Sequence, residues 1–333
     1  MRKGLRFRLG GLRTTSLARH GWPLRRKTDA FASSACACAD ATAAALQRGP
    51  GLDIKKTRST RRCRDVGCGF FMPDHASSST VVAVIPARYA SSRLPGKPLA
   101  DIGGQTMIER VLRRVAAAKR VDRVIVATDD DRVRRAIEGL GEVVLTAVDH
   151  ESGSDRVAEA VGPIDCDIVV NVQGDLPLID PAMIDSLVAG LLAQPEAGMA
   201  TVAVPVRNSI EFEDPSVVKV VCDLGGRALY FTRAPVPHDR DVPGSVQGVL
   251  HHVGIYAYRR EVLLQFADLA PTPLERKEKL EQLRALENGI GIAVVACDGA
   301  PPPAVDTVAD LQAVRELVAG LESDEDEDEK VCR

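Results

Sequence analysis

The feature that most constrains this chain is a regular alternation of short apolar runs with amphipathic stretches, beginning at Val81. Val81-Val82-Ala83-Val84-Ile85 is apolar at every position and stops at Pro86. An uninterrupted apolar run of that length is the pattern of a strand covered on both faces, as in a parallel sheet. Over residues 106–118 the apolar positions are Met107, Ile108, Val111, Leu112 and Val115, a helical period. The same reasoning predicts strands over 123–128, 143–145 and 167–172 and helices over 130–140 and 181–192. Strands and helices in strict alternation imply a doubly wound, mostly parallel α/β sheet with helices on its faces.

The alternation changes after residue 198. Residues 199–206, 217–222, 228–232 and 249–258 read as strands without long helices between them, which predicts a small mixed or antiparallel β annex on the parallel core. Helical periods return over 261–269 and 274–287, where Asn288-Gly289 supplies a stop. A strand over 292–296 and a helix over 308–321 close the fold. The run of six acids at 324–329 reads as a solvated, disordered end. The expected organisation is a catalytic domain over 72–322 and an acidic tail over 323–333.

Residues 1–71 differ from the rest. They hold 16 Lys/Arg against 4 Asp/Glu, a local charge of +12 in a chain of net charge −3, so the remainder carries −15. No sustained period of 2 or 3.6 runs through them. One reading is a transit peptide, because such segments are rich in Arg and Ser and poor in acids. A second, preferred here, is upstream sequence with the functional start at Met72, about ten residues before the first strand. A third is a basic arm for nucleic acid, but interleaved aromatics are missing. Aromatics are 4% of the chain, which argues against a base-stacking nucleic-acid binder. No window approaches the roughly 18 apolar residues of a membrane span. The cysteines of the body show no zinc-finger or CxxC spacing, which points to free thiols and a cytoplasmic protein, or an organellar one under the transit-peptide reading.

Chemistry concentrates where strands end. Pro86-Ala87-Arg88-Tyr89-Ala90-Ser91-Ser92-Arg93-Leu94-Pro95-Gly96-Lys97-Pro98-Leu99 follows the first strand at the carboxyl edge of the expected sheet. Open α/β folds bind ligands at that edge. The segment is neither a dinucleotide fingerprint nor a Walker loop. It places Arg88, Arg93 and Lys97 on a loop framed by Gly and Pro, which suits several phosphate groups better than a plain basic surface loop. Asn171-Val172-Gln173-Gly174-Asp175 puts an acid after another buried strand, and Ala304-Val305-Asp306-Thr307 a second acid in a similar setting. Each acid is either a turn residue or a holder of Mg²⁺ around a triphosphate. In Asp149-His150-Glu151-Ser152-Gly153-Ser154-Asp155-Arg156, a polar loop precedes a helix expected from Val157, with Ser154 as its cap. Arg132, Arg134, Arg135 and Glu138 have the spacing of a solvated helix face.

The first of these motifs resembles the signature of the CMP-Kdo synthetase family, the 3-deoxy-manno-octulosonate cytidylyltransferases. The wider sugar nucleotidyltransferases share only the looser Arg…Arg-Leu-Pro-x-Lys core. The resemblance runs from about Val81 to about Val318. It implies transfer of CMP from CTP to the anomeric 2-hydroxyl of Kdo, with release of pyrophosphate, for lipopolysaccharide biosynthesis. It assigns Pro86, Ala87, Arg88, Arg93 and Lys97 to the nucleotide, Ser152, Gly153 and Arg156 to the cytosine side, and Asp175 and Asp306 to Mg²⁺. On the sugar side it implies Gln173, Arg233, His252, Tyr256, Glu281 and Gln282, with Arg233 as partner of the sugar carboxylate. Arg88, Lys97, Asp175 and Asp306 carry the catalysis, and a homodimer is implied. Leu176 stands where the family more often has Glu. A CMP-sialic acid synthetase fits the Arg-Leu-Pro-Gly-Lys core too, but Arg-Ala-Pro at 233–235 and Leu-Glu-Gln-Leu-Arg at 280–284 favour Kdo. A catalytically silent nucleotide sensor would be expected to lack Lys97 or one of the acids, and this chain has all three.

Overall fold

The computed structural model describes residues 79–331 apart from Ser92 and Glu151. The expectations for residues 1–71 therefore lie outside the described residues. In chain order the first half runs β1 (Val81–Ala87), β2 (Asp101–Ile102), β3 (Gln105–Thr106), α1 (Met107–Ala116), β4 (Arg123–Thr128), α2 (Asp131–Ile137), β5 (Glu142–Leu145), α3 (Gly153–Val161), β6 (Ile168–Asn171) and α4 (Pro181–Ala193). The second half runs β7 (Met199–Pro205), α5 (Ser209–Glu213), β8 (Lys219–Cys222), β9 (Ala228–Thr232), β10 (Leu250–Arg259), α6 (Arg260–Ala267), α7 (Pro273–Glu278), α8 (Gln282–Glu287), β11 (Ile292–Ala296) and α9 (Val308–Val331).

The main sheet has the order β11-β7-β10-β6-β1-β4-β5. β1 pairs in parallel with β4 and β6, β4 with β5, and β7 with β11, while β10 runs antiparallel to β6 and β7. The uniformly apolar strands are buried on both faces, as their composition requires. On one face they meet Ile108, Val111 and Val115 of α1, Val133 of α2 and Ile184 and Leu187 of α4. On the other they meet Val157 and Val161 of α3, Leu263 and Phe266 of α6 and Leu283 of α8. The result is three layers with the sheet between two helical sides.

The expected annex is smaller than its four strands suggested. β7 and β10 belong to the main sheet, and only β8 and β9 stand off it, as a hairpin attached to the start of β10. The helix expected over 274–287 is two helices, broken where Lys279 takes a left-handed conformation at φ 57°. Nothing in the sequence marks that break, since the residue is neither Gly nor Asn. The last helix runs to Val331, so the backbone of the acidic run at 324–329 continues it. After Gly320 no Gly or Pro interrupts it, and Glu is a good helix former. No helix among the described residues is long and apolar enough to cross a membrane.

Candidate active site

From β1 the chain runs through β4 to β5 on one side, and then returns to lay β6 on the other. The crevice between the ends of β1 and β6 is thus the switch point of the sheet, where open α/β folds take ligands. A cleft of about 370 Å³ opens there, lined by Arg88, Arg93 and Lys97 after β1, Gln173 and Asp175 after β6, and Asp306 ahead of α9. Pro86, Ala87 and Gly153 complete its wall. Lys97 Nζ donates to Asp175 Oδ2 at 2.7 Å and to Asp306 Oδ1 at 2.9 Å. Arg93 lies 3.2 Å from the other oxygen of Asp306. Asp306 reaches the site because the Val305 N–H donates to the Asp175 carbonyl at 2.9 Å, and because Asp310 accepts from the N–H groups of Asp306 and Thr307 at 3.0 and 2.8 Å. Gly174 lies so close to β1 that a Cβ there would stand 2.8 Å from the Pro86 carbonyl oxygen.

The phosphate-type loop is held from outside by residues that sequence reasoning passed over. Gly96 turns the loop at φ 71°, and its N–H donates to the Tyr89 carbonyl at 3.2 Å. The Arg132 guanidinium lies 3.3 Å from the centroid of the Tyr89 ring while making two bonds to Asp130. Arg132 lies on an exposed helix face, as its spacing predicts, and its guanidinium also stacks on the loop. Arg88 donates to the carbonyls of His150 and Ser152, the latter at 3.1 Å, and so ties the loop to the segment ahead of α3.

That segment differs from expectation in two ways. α3 begins at Gly153, and its cap is Ser152, whose hydroxyl accepts from Asp155 N–H at 3.1 Å while Asp155 accepts from Ser152 N–H at 2.9 Å. This reciprocal box closes the helix four residues earlier than the apolar period indicated. Arg156 does not face the cleft. It is fully buried and bound to Asp129 at 3.1 Å and to the Thr146 hydroxyl, so it braces the ends of β4 and β5.

Of the residues expected on the sugar side, His252, Tyr256, Glu281 and Gln282 gather under α8 on the α3 face of the sheet, while Gln173 lies in the wall of the cation-lined cleft. His252, Gln282 and Asn171 are buried. Ser154, freed from capping, donates to Glu281 Oε2 at 3.1 Å. Burial raises the Glu281 carboxyl above its usual range, against the opposing hydrogen bonds from Ser152 and Ser154. Burial pulls His252 down to about 3, so its ring is neutral. Thr201 Oγ1 lies 2.8 Å from the Ile255 carbonyl, 3.1 Å from that of Val253 and 3.0 Å from His252 Nε2. Its single proton serves the carbonyls, which makes His252 Nε2 the donor to it. Tyr256 stacks obliquely on His252 with ring centroids 5.5 Å apart. Several polar atoms here have no protein partner: both side-chain atoms of Asn171, Glu281 Oε1 and Gln282 Nε2. Buried polar atoms are rarely left so, and the folded chain gathers several of them on this face of the sheet. Asn171 and Thr201 were absent from the sequence-derived site. Their signal was one polar residue in each of two otherwise apolar strands. Arg233 is not presented as a free cation, since its guanidinium donates to the carbonyls of Pro215, Glu278 and Lys279.

Three cations converge with two carboxylates at the switch point of the sheet, an arrangement suited to a nucleoside triphosphate, and the comparisons place the chain among the nucleotidyltransferases. The chain belongs to the cytidylyltransferase family, whose model matches residues 82–292, and within it to the 3-deoxy-manno-octulosonate cytidylyltransferases. It is 53% identical to the 3-deoxy-manno-octulosonate cytidylyltransferase of Syntrophotalea carbinolica over 251 residues, covering 73% of this chain and 100% of the relative. It is also 53% identical to the enzyme of that name from Myxococcus xanthus over 243 residues, 72% of this chain and 97% of the relative. Among solved structures it resembles a CMP:2-keto-3-deoxy-manno-octonic acid synthetase complexed with CTP. That likeness has a TM-score of 0.69 and 44% identity, and covers 73% of this chain and 99% of the other.

Proposed function

We propose that the protein transfers CMP from CTP to the anomeric 2-hydroxyl of 3-deoxy-manno-octulosonate, releasing pyrophosphate, as a step of lipopolysaccharide synthesis. The observation that carries this reading is the cationic cleft at the switch point, where Arg88, Arg93 and Lys97 face Asp175 and Asp306. The cleft suits a triphosphate, and the buried polar side chains of Asn171, Glu281 and Gln282 suit an acceptor rich in hydroxyls. The hydroxyl oxygen bonds to the α-phosphorus as the bond from that phosphorus to the α–β bridging oxygen breaks; pyrophosphate leaves with the bridging oxygen, and the hydroxyl proton passes to solvent. No covalent enzyme intermediate is required. Catalysis is then positioning plus charge stabilisation, with Arg88, Arg93 and Lys97 against the phosphates and leaving pyrophosphate.

The donor set suits Mg²⁺. Asp175 and Asp306 converge on one cation, the Lys97 ammonium, at 2.7 and 2.9 Å. Few carboxylates completed by phosphate oxygens are what Mg²⁺ accepts beside a nucleotide. Phosphate oxygens and water would complete the coordination. Bound there, the ion would neutralise phosphate charge and acidify the attacking hydroxyl. The Gly153 backbone and Ser152 face the base, and His252, Tyr256, Glu281 and Gln282 face the sugar. The free thiols of Cys166, Cys222 and Cys297 suit the cytoplasm.

Pyrophosphate release measured with each nucleoside triphosphate and a panel of 2-keto acid sugars tests the reading. Turnover is expected with CTP and 3-deoxy-manno-octulosonate. Equal turnover with UTP, or a preference for sialic acid, would overturn it.

A further inference from the structure

Lys219 sits on β8 with its side chain fully buried. Its ammonium donates to three backbone carbonyls, those of Asp214 at 3.0 Å, Val217 at 2.6 Å and Arg233 at 3.0 Å. All three donors of the group are thereby used. A charge so deeply placed is costly unless each donor is satisfied, so its removal leaves three carbonyls to find new partners. The next cation along, Arg233, repeats the pattern. Its Nε donates to the Glu278 carbonyl at 2.8 Å and its terminal nitrogens to Pro215 at 2.9 Å and Lys279 at 3.4 Å. From the other side, the Glu278 carboxylate accepts from the Thr232 hydroxyl at 2.8 Å and the Arg233 N–H at 3.0 Å.

Two cations and one carboxylate thus tie together three segments distant in sequence: the connection 214–217, the exit of β9, and the turn between α7 and α8. That turn is where Lys279 takes its left-handed conformation and sends the chain back. Just beyond it come Glu281 and Gln282, whose Oε1 and Nε2 atoms are buried without a protein partner. The nucleotide cleft is assembled separately, from the ends of β1 and β6 and the start of α9, and none of the three clamp groups lines it.

We infer that Lys219 is a positioning residue for the acceptor half of the site. Its ammonium holds the Arg233 carbonyl and the 214–217 connection. These seat the Arg233 guanidinium, and Arg233 with Glu278 then fixes the turn that sets Glu281 and Gln282. The inference rests on the pocket beneath α8 being the acceptor subsite. Sequence alone does not mark Lys219, which reads as an ordinary lysine in a short strand.

Lys219→Met and Glu278→Gln test it, with CTP and 3-deoxy-manno-octulosonate varied separately in a pyrophosphate-release assay and CTP binding measured by calorimetry on the same preparations. The expected result is a rise of about tenfold or more in KM for the sugar, as for lost binding of one substrate, with KM and Kd for CTP changed less than about twofold. An unchanged sugar KM in the soluble variants, beside a wild type that turns the sugar over, overturns the positioning role. A parallel rise in both constants also overturns it, since that reports a general loosening of the fold. Should Lys219→Met be insoluble, Glu278→Gln decides, because it breaks the other limb of the same clamp from a half-buried position. A wild type that refuses this sugar and uses another 2-keto acid sugar overturns the acceptor's identity instead, and the KM split is then read on the sugar it uses.

Discussion

Asp175 and Asp306 each accept from Lys97, and each has the alternative of being only a turn or cap residue. Asn discriminates between these roles, because it caps almost as well as Asp but carries no charge. Asp175→Asn and Asp306→Asn are expected to lower kcat by about a hundredfold or more, comparable to losing one preorganised electrostatic contact at a transition state. The thermal midpoint should move little. Excess Mg²⁺ should partly restore either variant; near-normal rates at limiting Mg²⁺ would place the metal elsewhere. His252 leads to a prediction of a different kind. Its folded pKa of about 3 lies below its ordinary 6.5, so the unfolded chain takes up the proton first. The stability it supplies is complete above pH 6.5 and is lost as pH falls from 6.5 towards 3. Thermal midpoints of the wild type and of His252→Gln should therefore converge as pH drops from 7 to about 4. A gap constant across that range would show that the imidazole is not held neutral.

At the scale of elements, the close approach of β1 and β6 places the acids against the cationic loop. Gly174 permits it. A methyl group at 174 meets the Pro86 carbonyl at 2.8 Å, and backbone on both sides gives little room to yield. Gly174→Ala is expected to fold but to displace Asp175, lowering kcat and weakening CTP binding together, checked by steady-state kinetics and calorimetry. Normal constants would mean that the loop shifts freely. The elements themselves were largely legible. β4, β9 and β11 have the bounds that their largely apolar runs predict, because residues packed against the body of the protein must be apolar. The α7–α8 break was not legible, because the Arg233 guanidinium, distant in sequence, holds the Glu278 and Lys279 carbonyls there. α3 started early because a Ser152–Asp155 box outweighs the absence of apolar residues in the first turn.

At the scale of the whole molecule, every site residue lies between Pro86 and Asp306, within the unit Met72–Arg333. A chain begun at Met72 is expected to match the full chain in kcat/KM for CTP and in thermal midpoint. An unfolded or inactive product would make residues 1–71 part of the working protein. The division of labour between the cleft and the pocket also belongs to this scale. The cleft hangs on the parallel half of the sheet. The pocket depends on antiparallel β10, which brings His252 and Tyr256 beside Asn171 and Thr201.

What the sequence by itself determined was local: the strand and helix periods, the cations at 88, 93 and 97, and the acids that follow buried strands. These are legible because burial dictates composition residue by residue, and because ligand-binding loops follow strand ends in this class of sheet. Only the tertiary structure decided which charges meet. Lys97 and Asp306 are far apart in the chain, and one backbone bond from Val305 to Asp175 brings the acid into reach. The same holds for the cations that do not serve the ligand directly. Arg156, Arg233 and Lys219 are indistinguishable from binding cations in a list of residues. Their roles were settled by which carbonyls and carboxylates the folded chain laid around them, since a cation's partner depends on proximity in space and not on its own side chain.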